Sequence, residues 1–248
     1  MDRNDLINAS IANLTTLWKA AAAPQQGYFP GNDFDYCLVP GSDWPNKLWF
    51  SENIQTGTLE RARIVCLSLA ANMTVPVWQT AATPTQMFAD AGFRLRFEQI
   101  GMSMQPDHRP QSKTQLRFER ATTPAQFTAW TAIYPQAFGY GINHSVLEGA
   151  FRTIGFYLAF CGEVPVGTAM VCQTGKIFGV HGVGIVPDMR RRGFAAEIME
   201  FLLDLAFESR AELVTLQASA MGRELYTKLG FQEDFILRTY SLQDSACT

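Results

Sequence analysis

The 248 residues predict an α+β fold (mixed α/β), and three observations carry that reading. A strand-like apolar run at residues 180–186 leads through an arginine- and glycine-bearing turn into a long amphipathic helix. Strand-like and helix-like stretches alternate on both sides of a polar, proline-bearing segment. The two sides also resemble each other. Phe88-Ala89-Asp90-Ala91-Gly92-Phe93 lines up with Tyr226-Thr227-Lys228-Leu229-Gly230-Phe231, and residues 94–102 line up with 232–240. A hydrophobic content of 47% with 17% charged residues suits a chain that builds a core, and the length allows one to two domains.

Taken in order, residues 5–22 predict a helix, because Leu6, Ile7, Ile11, Leu14, Leu17 and Trp18 recur at helical spacing. Residues 35–39 and 47–50 read as strands around the turn-rich Pro40-Gly41-Ser42-Asp43-Trp44-Pro45. A helix opens at Thr58, and residues 75–79 and 94–102 read as strands. The polar stretch from Gln105 to Ser112, with Pro106 and Pro110, has no apolar period and reads as an exposed connection. The expected division is 1–104, a linker at 105–114, and 115–248. Beyond it, residues 127–133 predict a helix and 135–144 a loop. Residues 156–160 and 166–171 predict strands around Gly162-Glu163-Val164-Pro165. After Gly193, Ala195, Ile198, Met199, Leu202, Leu203 and Ala206 form one helical face, with Glu197, Glu200, Asp204 and Glu208 largely on the other. Residues 213–218 read as a further strand.

The turn Arg190-Arg191-Arg192-Gly193-Phe194-Ala195 is the most informative stretch. Glycine lets the backbone approach a ligand closely. The first amides of a helix have no partner inside it and sit at the positive end of its dipole. With flanking arginines this makes a pyrophosphate cradle. The plainer alternative is a solvated turn. Gly182 and Gly184, inside the preceding strand, mark a bulge or a close backbone approach.

These residues resemble motif A of the GNAT superfamily of N-acetyltransferases, (Gln/Arg)-x-x-Gly-x-(Gly/Ala), filled by Arg190, Gly193 and Ala195. Glu224-Leu225-Tyr226-Thr227-Lys228-Leu229-Gly230-Phe231 is similar to the family's "LYxKxGF" helix and turn. Residues 213–218 are similar to its fifth strand. The resemblance covers roughly residues 115–243. It implies a mixed, mostly antiparallel sheet flanked by helices, with acetyl-CoA as cofactor. Pantetheine would lie along the main chain of Val183, Gly184 and Ile185. The diphosphate would meet Arg190, Arg191, Arg192, Gly193, Phe194, Ala195 and Ala196, and Ser219 stands where many relatives carry an asparagine on the pantetheine arm. The N-terminal side is expected to be a second, degenerate copy of the same fold. It has no arginine-glycine cradle, and Phe88 stands in the place of Tyr226.

Acetyl transfer needs a neutral amine, and free alkyl ammonium groups have pKa near ~10.4, so a base or water must take a proton. The resemblance implies Tyr226 as donor to the departing sulfur. A phenol at about 10 is a weaker acid than a thiol at about 8.5, so hydrogen-bond donation is expected rather than full transfer. Relatives often carry a glutamate on the fourth or fifth strand, but the chain has Val214 there. That leaves His181 as the candidate base, against a structural core histidine. Phe138, Tyr140 and His144 are candidates for the acceptor pocket, and His144 is a second candidate base; a packed helix-to-helix loop is the alternative.

A net charge of −3 argues against a nucleic-acid partner. Cys37, Cys66, Cys161, Cys172 and Cys247 show no metal-ligand or redox spacing and suit a reducing compartment. No signal pattern and no membrane-length apolar run is present, and the cytoplasm is the expected setting. The expected partner is a small-molecule amine or amino acid that attacks acetyl-CoA directly in a ternary complex. A homodimer through a sheet edge stays open. Two function classes remain: an active N-acetyltransferase, and a non-catalytic acyl-CoA-binding regulator.

Overall fold

Asp2 starts the first helix with a reciprocal pair of hydrogen bonds: its side chain accepts from the Asp5 amide, and the Asp5 carboxylate accepts from the Asp2 amide. In the computed structural model this helix, α1 (Arg3–Ala22), buries Leu14, Leu17, Trp18 and Ala21. The structure describes residues 1–51, 54–69, 72–79, 85–109 and 115–242. Cys247 lies outside them, as does the part of the expected linker from Pro110 to Thr114.

A small sheet follows, β1 (Tyr28–Phe29), β2 (Phe34–Cys37) and β3 (Lys47–Phe50), then α2 (Thr56–Ser68). Next come β4 (Val75–Gln79), the short α3 (Gln86–Asp90) and the long β5 (Phe93–Met104). The second half contains β6 (Leu116–Arg120), α4 (Pro124–Phe138), α5 (His144–Ala150), β7 (Ile154–Cys161), β8 (Val164–Thr174) and β9 (Ile177–Ile185). It closes with α6 (Phe194–Glu208), β10 (Leu213–Ala218), α7 (Arg223–Lys228) and β11 (Gln232–Leu242).

The main sheet has eight strands in the order β4-β11-β5-β10-β9-β8-β7-β6, and strands from both halves interleave in it. All neighbours are antiparallel except β9 and β10. This is the mostly antiparallel, helix-flanked sheet that the sequence predicts. One face carries α1, α4 and α5 around Leu17, Trp130, Tyr134 and Phe156. The other carries α6 and α7 around Ile198, Met199, Leu202 and Phe231. A third cluster packs α2 and α3 against β4 and Tyr240 through Leu59, Val75 and Phe88.

The pairing of β5 with β11 is symmetric about the rung Gln99–Leu237. Glu98–Arg238 on one side answers Ile100–Ile236 on the other, and Phe97–Thr239 answers Gly101–Phe235. Each strand then skips one residue, Arg96 in β5 and Asp234 in β11, before Leu95–Tyr240 and Met102–Glu233. Such bulges twist a pair locally.

One boundary differs from the sequence reading. The stretch from Pro135 was expected to be a loop, but α4 continues through Pro135 to Phe138. Its last turn is held by the Phe138 ring stacking on Tyr134 at 4.4 Å. Gly139 then ends it at φ 76°, a left-handed conformation that glycine adopts without strain.

Candidate functional site

The site begins where two strands part. β9 and β10 pair in parallel only from Ile177–Leu213 to Gly179–Thr215. Beyond that rung β9 continues beside β8, as far as Gly167–Ile185, while β10 runs on beside β5. Val183, Gly184 and Ile185 therefore line a gap in the sheet, and Val183 and Gly184 are partly exposed. Sheet ladders leave alternate backbone groups of such an edge free to bond an extended ligand.

At the mouth of the gap, Pro187–Met189 makes one tight helical turn and leads into the arginines. Arg191 has φ 60° and Gly193 φ 85°, so this turn alternates hand along the backbone. Alternating backbone of this kind turns successive N–H groups into one concavity, a nest for an anion. A side chain at Gly193 would meet nothing within 4 Å, so the space above the turn is open. Phe194 and Ala195 begin α6 with amides that have no carbonyl four residues back. These residues fit a diphosphate.

Two of the residues expected at the diphosphate already have partners within the chain. The Arg190 side chain, exposed like its two neighbours, lies along the surface: Nε donates to the Ile185 carbonyl at 3.0 Å and Nη2 to the Ala137 carbonyl at 3.1 Å. It braces the end of β9 against α4. The Ala196 amide already donates to the Gly193 carbonyl at 2.9 Å, so its N–H is not free for a ligand. Arg191 and Arg192 remain exposed at the turn.

Tyr226 lies on the α6 face of the sheet, half-buried against Phe231, with ring centroids 6.0 Å apart. Its ring fills space that a side chain at Gly222 would occupy, 2.9 Å away. Burial pushes the phenol up to about 12, so it holds its proton. Ser219 is exposed and accepts the Gly222 amide through Oγ at 3.3 Å, shaping the turn before α7.

His181 lies on the opposite face. Strand alternation sends Phe178 and Val180 into the α6 cluster and His181 towards α1. His181 is 8% exposed, and burial pulls its pKa down to about 4. Its Nε2 meets Asn13 Oδ1 at 3.2 Å and its Nδ1 meets Gln217 Oε1 at 3.1 Å. Each ring nitrogen thus faces a side-chain amide oxygen, and the ring lies under cover rather than open to solvent.

Phe138 and Tyr140 do come to the gap. A side chain at Gly184 would stand 2.5 Å from the Phe138 ring, so glycine there allows the close approach. Tyr134 joins them: its hydroxyl and that of Tyr140 are 2.6 Å apart. His144 does not join them. It starts α5, its Nε2 lies 3.2 Å from the Pro124 carbonyl, and its ring meets Phe127 edge-on. That places it at the other end of α4 from Phe138, because the loop after Gly139 doubles back along the helix.

Sequence reading missed Asn13, Gln217, Tyr134 and Asp43. Asp43 Oδ2 accepts the Gly141 amide at 2.8 Å, and Ser42 Oγ accepts the Asn143 amide at 3.1 Å. A turn of the N-terminal half thus clasps the loop beside Tyr140. Asp43 sits in a turn-rich run that gives a sequence reader only a turn, and the other three look like ordinary helix and strand residues.

Residues 121–231 match the family model described as Acetyltransferase (GNAT) family. The whole chain is similar in fold to several solved structures. A GCN5-related N-acetyltransferase from Kribbella flavida is 17% identical with a TM-score of 0.68, covering 92% of this chain and 96% of that one. One from Sphaerobacter thermophilus is 15% identical with a TM-score of 0.62, covering 84% and 76%. A tandem GNAT protein from the clavulanic acid biosynthesis pathway is 10% identical with a TM-score of 0.57, covering 84% and 77%. No curated protein matches the chain. The matched stretch and the fold of the chain are both similar to those of GNAT acetyltransferases, a family that generally uses acetyl-CoA. Among the described residues no group of His, Cys, Asp and Glu side chains could hold a metal ion, and no helix is long and apolar enough to cross a membrane.

Proposed function

We propose that the protein is an N-acetyltransferase that moves an acetyl group from acetyl-CoA to a primary amine on a small molecule or amino acid. The observation that carries this is the parting of β9 and β10 beyond Gly179–Thr215, opening onto the Gly193 turn. The amides of Val183, Gly184 and Ile185 would hold the pantetheine arm, with Ser219 across the gap. The Arg191–Ala195 turn would hold the diphosphate. Bound there, acetyl-CoA supplies an acyl carbon activated by a thiol leaving group.

The chain's own residues then do three things. Tyr226 donates a hydrogen bond from Oη to the departing sulfur; as the weaker acid it keeps its proton, and the leaving thiolate takes one from solvent. Phe138, Tyr140 and Tyr134 form the aromatic wall that orients the amine on the other face. The amine loses its proton through water, or to His181 if Gln217 first swings off Nδ1.

We further propose that residues 1–104 are a degenerate copy of the fold in 115–248, which gives its β5 to the second copy's sheet and receives β11 in return. The support is the symmetric register about Gln99–Leu237, with bulges at matching places. The first half also wedges Asp43 against the acceptor loop.

Calorimetry with CoA and acetyl-CoA, followed by an amine panel assayed for thiol release, tests the assignment. Binding with turnover on at least one amine is expected. Tight binding with no turnover would favour the non-catalytic acyl-CoA-binding regulator, a reading that Val214 at the usual glutamate position supports. No binding of either compound would end both readings.

A further inference from the structure

His181 is buried on the α1 side of the parting strands, and what touches it comes from a distant part of the chain. Asn13 is 0% exposed and belongs to the N-terminal helix. Its amide orientation is settled by its own donors: Nδ2 gives hydrogen bonds to the Cys172 carbonyl at 2.8 Å and to Thr174 Oγ1 at 3.0 Å. Oδ1 therefore faces His181 Nε2, and an oxygen there requires a hydrogen on that nitrogen. One turn earlier on α1, Ser10 bonds Thr215 at 2.5 Å, which seats the helix against the last rung that β10 shares with β9. Gly179 supplies the room. A side chain there would stand 1.8 Å from Asn13 Oδ1 and 2.6 Å from His181 Nε2. The strand thus carries its glycine where the Asn13–His181 contact needs it.

We propose that Asn13 is a positioning residue of the acetyl-transfer site: it holds the His181 ring in the tautomer with its hydrogen on Nε2 and turns the Nδ1 lone pair on Gln217 across the gap. The proposal rests on the acetyltransferase reading above. In that tautomer Nδ1 has no hydrogen, so it faces Gln217 Oε1 as acceptor against acceptor. The Gln217 Nε2 is buried without a partner. A half-turn of the Gln217 amide resolves both, since Nε2 then donates to Nδ1. The other orientation, with Oε1 towards the ring, serves only a ring that has taken a second proton. Uptake of a proton at Nδ1 and rotation of Gln217 are therefore one event, and Asn13 decides which nitrogen takes part. The elements packed around the ring contribute Ser10 and Asn13 from α1, Thr215 and Gln217 from β10, and Met170 and Cys172 from β8. None is charged, and burial holds the Cys172 thiol up at about 11. An acetyl-transfer site built this way is incomplete without the N-terminal half.

The test uses the full chain with nitrogen-15 histidine. Its three histidines are His108, His144 and His181, and loss of one set of signals in His181→Gln makes the assignment. A pyrrole-type Nε2 and a pyridine-type Nδ1 are expected, unchanged between about pH 8 and about pH 5.5. Asn13→Asp places a carboxylate on Nε2–H and should raise the protonation midpoint by about 1–2 units, with the pH–rate profile of acetyl transfer moving alongside. Asn13→Ala and Gly179→Ala should each give mixed tautomers. The hydrogen on Nδ1 in the parent, or an unmoved midpoint in Asn13→Asp, would overturn the proposal. So would a moved midpoint with an unmoved rate profile, which would leave Asn13 a purely structural role. Failure to bind CoA would instead remove the acetyltransferase reading while leaving the tautomer signals readable.

Discussion

Tyr226 keeps its proton across the working range because burial raises it to about 12. The role proposed for it needs only the hydroxyl, so Tyr226→Phe should lower turnover by about 10²-fold, the lower end of the range for a positioned proton donor, and leave CoA affinity unchanged. Steady-state rates beside calorimetry would check this; equal turnover would remove the hydroxyl from the mechanism. His181 makes a prediction about stability. Its pKa is lowered from 6.5 to about 4 by burial. Between those values the unfolded chain holds the proton and the folded chain does not, so stability falls as pH falls from 6.5 towards 4. The loss approaches about 3 kcal/mol at the acid end of the window. Urea unfolding as a function of pH should show this slope in the parent and lose it in His181→Gln.

The turn between β9 and α6 is an element whose proposed role depends on backbone shape. Gly193 at φ 85° is in a region that a branched residue enters only at a cost of about 1–2 kcal/mol. Gly193→Val should therefore weaken CoA binding by at least about tenfold, as the nest closes and a side chain enters the open space. Arg190→Ala should act differently. It removes two hydrogen bonds between β9 and α4, costing about 1–3 kcal/mol of stability, with a smaller effect on CoA affinity. Thermal unfolding and calorimetry on both variants would separate brace from cradle. The sequence pointed to this turn as a unit because its parts are contiguous. It did not reveal that Arg190 bonds the end of α4, since that contact depends on Ala137, far away in the chain.

Across the whole molecule, β5 lies between β10 and β11, so neither half owns a complete sheet. Residues 115–248 expressed alone would expose the edges of β10 and β11 over the length that β5 covers, and open edges invite aggregation. That fragment should fail to give a folded, CoA-binding monomer; a soluble one with native-like circular dichroism would contradict the interleaved arrangement as a folding unit. Phe88, fully buried and stacked on Tyr240 at 4.5 Å, joins α3 to the last strand. Phe88→Ala should cost about 3–5 kcal/mol and lower the midpoint of unfolding for the chain as a whole.

What the sequence determined by itself was local and contiguous. The Arg190–Ala195 turn, the apolar face of α6, and Tyr226 ahead of Gly230-Phe231 each depend on periodicity or on residues a few positions apart. The likeness between 88–102 and 226–240 was legible for the same reason, as an ordered string of residue types. The tertiary structure alone decided that β5 enters the other half's sheet, that Asn13 meets His181 and that Asp43 meets Gly141. Those contacts join segments far apart in the chain, and their partners are set by strand order and by where two helices happen to land. A single asparagine on a helix or a glycine in a strand carries no mark of its distant neighbour, so only the folded chain brings that neighbour into view.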